Sequence, residues 1–288
     1  MKKKIFVVGS INTDFIIRAP YMPAKGETLT GSGFCTAHGG KGANQAVAAA
    51  RLGGDVVMCA CVGDDTFGRE AKESLAADGI DVSHVRTVAG TPSGTAVIVL
   101  TDGDNRIILD KGANAALCEA DVDDALASAN AGDILLVQLE NPIPTIGYAL
   151  RKGREKGMFV ILNPAPANAE IAPFLSACDL VIPNETEAEL LGGRDALRKT
   201  VNGNLIVTLG GDGFELDGKR FPCPKVDPVD TTAAGDTFCG GMVAELAAGK
   251  PLAEAAKFGS VAASIACTRL GAQPSIPTRA ETEAFLQK

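Results

Sequence analysis

Histidine is scarce: His38 and His84 are the two in 288 residues. A zinc site built on imidazole, or a Ser-His-Asp triad, has little to draw on. The eight cysteines contain no CxxC pair, and several sit in apolar runs, which reads as buried reduced thiols in a cytoplasmic protein. No stretch approaches the ~20 apolar residues of a membrane span. The Lys2–Lys4 start is followed by an apolar run too short for a signal peptide, since it stops at Gly9. The charge is −8 and no long basic stripe occurs, so neither nucleic acid nor a membrane is expected as a partner. The GxGxxG string of a dinucleotide site does not follow the first strand. A Walker A loop is missing too, because Lys41 is followed by Gly42 and not by Ser or Thr.

What is present is ordinary globular chemistry, 46% hydrophobic and 22% charged, with a high count of 33 glycines. Short β-branched runs predict strands at Ile5–Val8, Val56–Cys61, Ile134–Leu139, Phe159–Leu162, Leu180–Ile182 and Leu205–Leu209. Helical patterns lie between them at Gly42–Leu52, Phe67–Asp78, Ala120–Ala129, Pro144–Lys156 and Asn184–Leu191. Such alternation predicts a mostly parallel sheet with right-handed crossovers. Thr13–Arg18, Thr28–Thr36, Gly94–Leu100 and Arg106–Lys111 read as strands without helices between them, the last two joined by a turn over residues 101–105. They predict a small antiparallel sheet, from about 12–37 and 85–111, inserted in one α/β domain of 1–288. Phe15, Ile17, Val97 and Val99 would give it an apolar face that four strands cannot cover alone. From Gly235 the chain turns helical, over Phe238–Ala248 and Pro251–Leu270, and Thr278 with Glu281 makes a capping box for a last helix.

Ligands of open α/β sheets bind beyond the carboxyl ends of the strands. Ser10 to Asp14, Glu140-Asn141, Asn163, Asn184 to Glu187 and Gly210 to Gly213 all follow strands, so carboxylates, amides and glycines gather on one rim. Gly39-Gly40-Lys41-Gly42-Ala43-Asn44-Gln45 opens a helix, with a cation and an amide among glycines that let backbone approach a ligand. Asp230-Thr231-Thr232-Ala233-Ala234-Gly235-Asp236-Thr237 opens another. Its small residues leave N–H groups free for an anion at the positive end of the helix dipole, and its carboxylate can take a proton. Asp236 could instead be a helix cap. Asn184 with Glu187 has the spacing of a capping box, Glu140 could serve a ligand or a structural pair, and His38 reads as a local contact.

Taken together, these strings resemble the phosphofructokinase-B (PfkB) carbohydrate kinase family over about Lys3 to Phe285. Gly39–Gly54 is similar to its N-terminal signature and Asp230–Gly241 to its C-terminal one, with LNPAPA at 162–167 and PNETEAE at 183–189 between them. GGKGANQA points to the ribokinase branch. The resemblance implies a ribokinase-like three-layer α/β sandwich, the small sheet acting as a lid that pairs two subunits in a homodimer. It implies transfer of the γ-phosphate of ATP to the 5-hydroxyl of D-ribose. Asp236 would be the base, and N–H groups of Ala233, Ala234, Gly235 and Asp236 would stabilise the phosphoryl. Asn12, Asp14, Gly40, Lys41, Asn44 and Glu140 would hold the sugar. Asn184, Thr208, Gly210, Gly211, Gly213, Gly235 and Ser260 would lie at the nucleotide, and Glu187 would orient Mg2+ through water. Asp230, Thr232, Ala266, Arg269, Gly271 and Ser275 would hold K+. Two departures stand out: Ser260 replaces a polar ring or amide near the adenine, and the 192–204 segment leaves room for a stub helix only. A kinase for deoxyribose, another pentose or a nucleoside is the alternative within the class. A non-catalytic sugar or nucleotide sensor would have no need of Asp236.

Overall fold

The computed structural model describes residues 3–101 and 104–287. In chain order the elements are β1 Lys4–Val8, β2 Asn12–Arg18, β3 Ser32–Gly39, α1 Lys41–Arg51, β4 Asp55–Gly63, α2 Thr66–Ala77, β5 Val85–Val88, β6 Gly94–Thr101 and β7 Asp104–Asp110. Next come α3 Glu119–Leu126, β8 Ile134–Val137, α4 Ile143–Glu155, β9 Phe159–Leu162, β10 Leu180–Val181, α5 Glu185–Leu190, α6 Arg194–Thr200 and β11 Asn204–Thr208. The chain finishes with β12 Phe214–Leu216, β13 Lys219–Phe221, α7 Ala234–Ala247, α8 Leu252–Ala266 and α9 Arg279–Leu286. The large sheet runs β13-β12-β11-β10-β9-β8-β1-β4-β5, parallel except at β12 and β13.

The central strands β1, β4, β8, β9, β10 and β11 are buried on both faces, which explains their apolar runs. Ile5 and Val7 of β1 join a core with α1, α2, α7 and α8, while Phe6 and Val8 join a second core with α3 and α4. Successive side chains point to opposite faces, so one five-residue strand feeds both layers. Each fully buried Val, Leu, Ile or Phe contributes roughly 1.5–3 kcal/mol. Capping hydrogen bonds set several helix starts: Asp65 accepts from Gly68 N–H at 2.8 Å, and Thr278 with Glu281 closes the expected box.

The small sheet has the order β3-β2-β6-β7. It is two antiparallel pairs, β2 with β3 and β6 with β7, joined by a parallel β2–β6 pair, because β2 and β6 both leave the body in the same direction. The antiparallel expectation thus holds for the outer pairs and not for the central one. The lid's second segment begins at Gly94; Val85–Val88 pairs with β4 in the large sheet. The turn residues Asp102 and Gly103 lie outside the described residues. The 192–204 segment folds as the seven-residue α6, the stub its length predicts. Helix α7 starts at Ala234, four residues before the apolar pattern does, since its first turn is made of small residues that carry no periodic signal.

Candidate active site

Gly240 meets α1 where a Cβ would stand 2.4 Å from that of Ala48, so the two helices touch almost backbone to backbone. That approach lets Asn44 and Gln45, on the first turns of α1, reach the start of α7. Asn44 Nδ2 donates to Asp236 Oδ2 at 3.0 Å, and Gln45 Nε2 donates to Asp236 Oδ1 at 2.9 Å. Gln45 Nε2 also donates to Asn163 Oδ1, and Gln138 Nε2 donates to Gln45 Oε1 at 2.7 Å, which fixes which end of each amide points where. Asp236 is the third residue of α7, with Ala233 as its N-cap in the left-handed region at φ 58°. Burial pushes the Asp236 carboxyl up, while Lys41 and the two amides act against the shift. The result is a carboxylate held in place by two donors yet primed to take a proton.

The N–H row at this terminus is narrower than the sequence suggests. Ala234 N–H donates to Thr231 O at 3.2 Å, which closes the turn that carries Ala233 into its left-handed conformation. Among the described residues, Ala233, Gly235 and Asp236 have no such acceptor, and their N–H groups stay available at the positive end of the helix. They border a polar cleft of about 220 Å3, lined also by Lys41, Asn163, Asn184, Glu187, Thr208 and Thr231. Burial alone would depress the Lys41 ammonium, but Asp236, Glu140 and Glu187 outweigh it and its pKa lies above the usual range. Glu187 is pushed up by burial despite Lys41 and the Asn184 N–H it accepts.

Beyond Asp236, the chain leaves β1 through Ser10 and enters β2, whose first residues include Asn12 and Asp14. Ser10 Oγ donates to Glu140 Oε2 at 2.5 Å, and the same oxygen accepts from Lys41 N–H at 3.0 Å. Asp14 is 8% exposed; burial, reinforced by Glu140 and Asp236, pushes its carboxyl up to about 7. Gly40, at φ 89°, turns the chain from β3 into α1 directly beneath Asn12. Two cavities open here: one of about 340 Å3 bordered by Asn12, Glu140, Asn114 and Leu109, and one of about 660 Å3 between the lid and residues 228–232. Asp236 lines the N–H-bearing cleft, and its charge is felt by Asp14, which borders one of the cavities under the lid, and by Glu140, which borders the other.

Several expected residues lie elsewhere. Gly210, Gly211 and Gly213 form the turn after β11 and do not line the cleft; the Gly211 carbonyl accepts from Lys225 Nζ. Ser260 is buried on α8, its carbonyl taken by Ser264 Oγ, and borders none of the three cavities. Thr208 and Asn184 do reach the cleft, because β11 bridges to Asn184 at the rim. Asp230 accepts from Thr232 and from Gly271 N–H at 2.9 Å, so the loop before α7 and the loop after α8 meet at one carboxylate. Ala266 ends α8, its carbonyl accepting from Arg269 N–H, and the fully buried Ser275 follows in the next turn. Sequence reasoning assigned no role to Gln45, Asn163, Ser10 or Asn114. Gln45 and Ser10 lay inside strings already singled out, whereas Asn114 follows the lid and carried no signal of its own.

The pfkB family carbohydrate kinase pattern matches residues 2–279. The chain belongs to that family. It is similar to the ribokinase of Haemophilus influenzae, 42% identical over 100% of this chain and 99% of that protein. The deoxyribokinase of Salmonella typhi is 36% identical, with 98% of each chain covered. Among solved structures, the Arabidopsis thaliana ribokinase complexed with ribose and ATP aligns over 100% of both chains at 30% identity and a TM-score of 0.85. As a member of the family the chain is a sugar kinase.

Proposed function

We propose that this kinase transfers the γ-phosphate of ATP to the 5-hydroxyl of D-ribose, giving D-ribose 5-phosphate and ADP. The observation that carries the reading is Asp236 in the N–H-lined cleft, held by Asn44 and Gln45 and close enough to Asp14 and Glu140 for their charges to act on one another. Asn12, Asp14 and Glu140 would bind ring hydroxyls, and Lys41 would balance their charge. Asp236 accepts the proton of the attacking hydroxyl as its oxygen bonds to phosphorus and the bond to the ADP oxygen breaks. The free N–H groups of Ala233, Gly235 and Asp236 hold the transferring phosphoryl oxygens, which is where most catalysis of such a transfer arises. Full-length similarity to proteins named ribokinase supports the sugar.

The donor sets fit the two expected ions. Glu187 faces the cleft and has an oxygen left after capping Asn184, so it would orient Mg2+ through water. Asp230 is kept anionic, since the Thr232 and Gly271 donors outweigh burial, and it stands with Gly271 and the carbonyls ending α8 in an oxygen-rich loop pair suited to K+. When bound, a monovalent cation there would neutralise Asp230 and stiffen the loop that leads to Ala233. A homodimer through the lid completes the reading. A coupled ADP-release assay across ribose, deoxyribose, other pentoses, hexoses and nucleosides tests it. Ribose should give the highest kcat/KM; preference for deoxyribose would move the assignment to that relative's activity, and no turnover with any sugar would end it.

A further inference from the structure

Asn114 is 1% exposed, in the turn between β7 and α3. Its Oδ1 accepts from Ile11 N–H at 2.9 Å, and its Nδ2 donates to Ile11 O at 3.0 Å. Both partners are main-chain groups whose roles cannot be exchanged, so the Asn114 amide has one allowed orientation. The same Nδ2 donates to Asn12 Oδ1 at 2.7 Å. Asn12 must therefore turn its carbonyl toward Asn114 and its NH2 the other way. Among the described residues that NH2 has no protein partner, and Asn12 and Asn114 both border the cavity of about 340 Å3. Asn114 is itself held by Asn141 Nδ2, which donates to its backbone carbonyl at 3.2 Å.

Place in the fold adds a second line. β2 starts at Asn12 and β6 starts at Gly94, so both strands leave the body for the lid at this point. A Cβ on Gly94 would stand 2.1 Å from Asn114 Nδ2 and 2.4 Å from Asn12 Oδ1. The amide pair fills the space where the lid is rooted, and only glycine leaves room for it.

We infer that Asn114 is a positioning residue for sugar recognition: it locks Asn12 as a pure hydrogen-bond donor, so that NH2 from Asn12 is set against carboxylate acceptors from Glu140, which borders the same cavity, and from Asp14, which borders the second cavity under the lid. This rests on the reading of Asn12 as a sugar ligand. A sugar hydroxyl at Asn12 then accepts through its oxygen and must place its own proton on a carboxylate, which selects the geometry of neighbouring hydroxyls. Asn114 acts through Asn12 alone.

The test is a double-mutant cycle read as KM, which does not depend on how much of the enzyme is active. Asn114→Ala should raise the ribose KM at least tenfold and leave the ATP KM within twofold. In an Asn12→Ala background the same change should alter the ribose KM by less than twofold. Multiplicative effects, or an unchanged ribose KM in Asn114→Ala, would overturn the inference. Should Asn114→Ala not fold, Asn114→Asp keeps the acceptor for Ile11 N–H and loses the NH2. Its ribose KM should rise with pH, relative to the unmodified enzyme, as the new carboxyl ionises and draws the Asn12 NH2 away from the cavity. A flat ratio would overturn the inference equally. If Asn12→Ala itself leaves the ribose KM unchanged, the sugar-ligand reading fails first and the role of Asn114 falls with it.

Discussion

Gln45 donates its amide N–H to Asp236 at 2.9 Å across 191 positions of sequence, and the same nitrogen donates to Asn163. The Asp236 carboxylate, the proposed base, is thus oriented by a side chain that is itself oriented by two others, Asn163 and Gln138. An aspartate that merely capped α7 would turn its carboxylate to the helix N–H groups; here both oxygens take side-chain amides from α1.

Asp236→Asn tests the base directly. The amide keeps the shape but cannot accept the proton. General base catalysis contributes ~10²–10⁴-fold, so kcat should fall at least ~100-fold while ATP binding persists. Retention of more than about a tenth of wild-type turnover would reduce Asp236 to a structural residue.

Asp14 carries a pH signature. Its carboxyl titrates near 7 in the folded protein against 3.8 as a free side chain, because burial, Glu140 and Asp236 disfavour its charge. Between those values the folded state binds more protons than the unfolded state, so the Asp14 contribution to stability falls as pH rises from about 4 to 7 and is level above. The difference is on the order of 4 kcal/mol at most. Asp14→Asn removes this titration. The melting temperature of the variant relative to wild type should climb between pH 5 and 7 and level off by pH 8; a constant offset would remove the assignment. For the sugar, Asp14→Ala should weaken ribose binding by ~1–3 kcal/mol, and an unchanged KM would exclude Asp14 as a ligand.

The K+ site proposed at the Asp230–Gly271 joint, which rests on the family resemblance, leads to the expectation of activation by K+ over Na+. Turnover should be higher in K+ at matched ionic strength, and Asp230→Ala should abolish the difference. Equal rates in the two salts would leave the Asp230 cluster a purely structural joint.

The outer face of the lid presents Ile108 at 71% exposure, paired with Val97, and Phe34 at 63%, its ring 6.3 Å from that of Phe15. Phe15, expected to be bare as well, is partly covered: its ring meets Phe67 of α2 edge-on at 5.3 Å. The remaining apolar strip is large for a surface that faces water. Sedimentation should show a two-chain particle at micromolar concentration, and Ile108→Glu should shift it to one chain. A wild-type monomer under those conditions would argue against lid pairing.

Periodicity and strand-end chemistry determined much of this protein. The six central strands, the helices between them, the lid strands and the two glycine-bearing helix starts are local patterns, and a residue's neighbours within four or five positions suffice to write them. Those patterns placed Asn12, Asp14 and Glu140 on one rim, and Lys41 and Asp236 at helix starts. Weak or short patterns escaped: β5, β12 and β13 have three or four residues each, and pairing with an adjacent strand, not propensity, makes them strands. Direction within the lid escaped as well, because β2 and β6 are parallel only by virtue of how both leave the body. What tertiary structure alone decided is the wiring of the site. Asn44 and Gln45 reach Asp236 because Gly240 lets α1 and α7 close together, and Asn114 reaches Asn12 because the lid roots on both sides of it. A hydrogen bond needs its donor and acceptor within about 3 Å, and for residues a hundred positions apart only the packing of the whole chain brings them there.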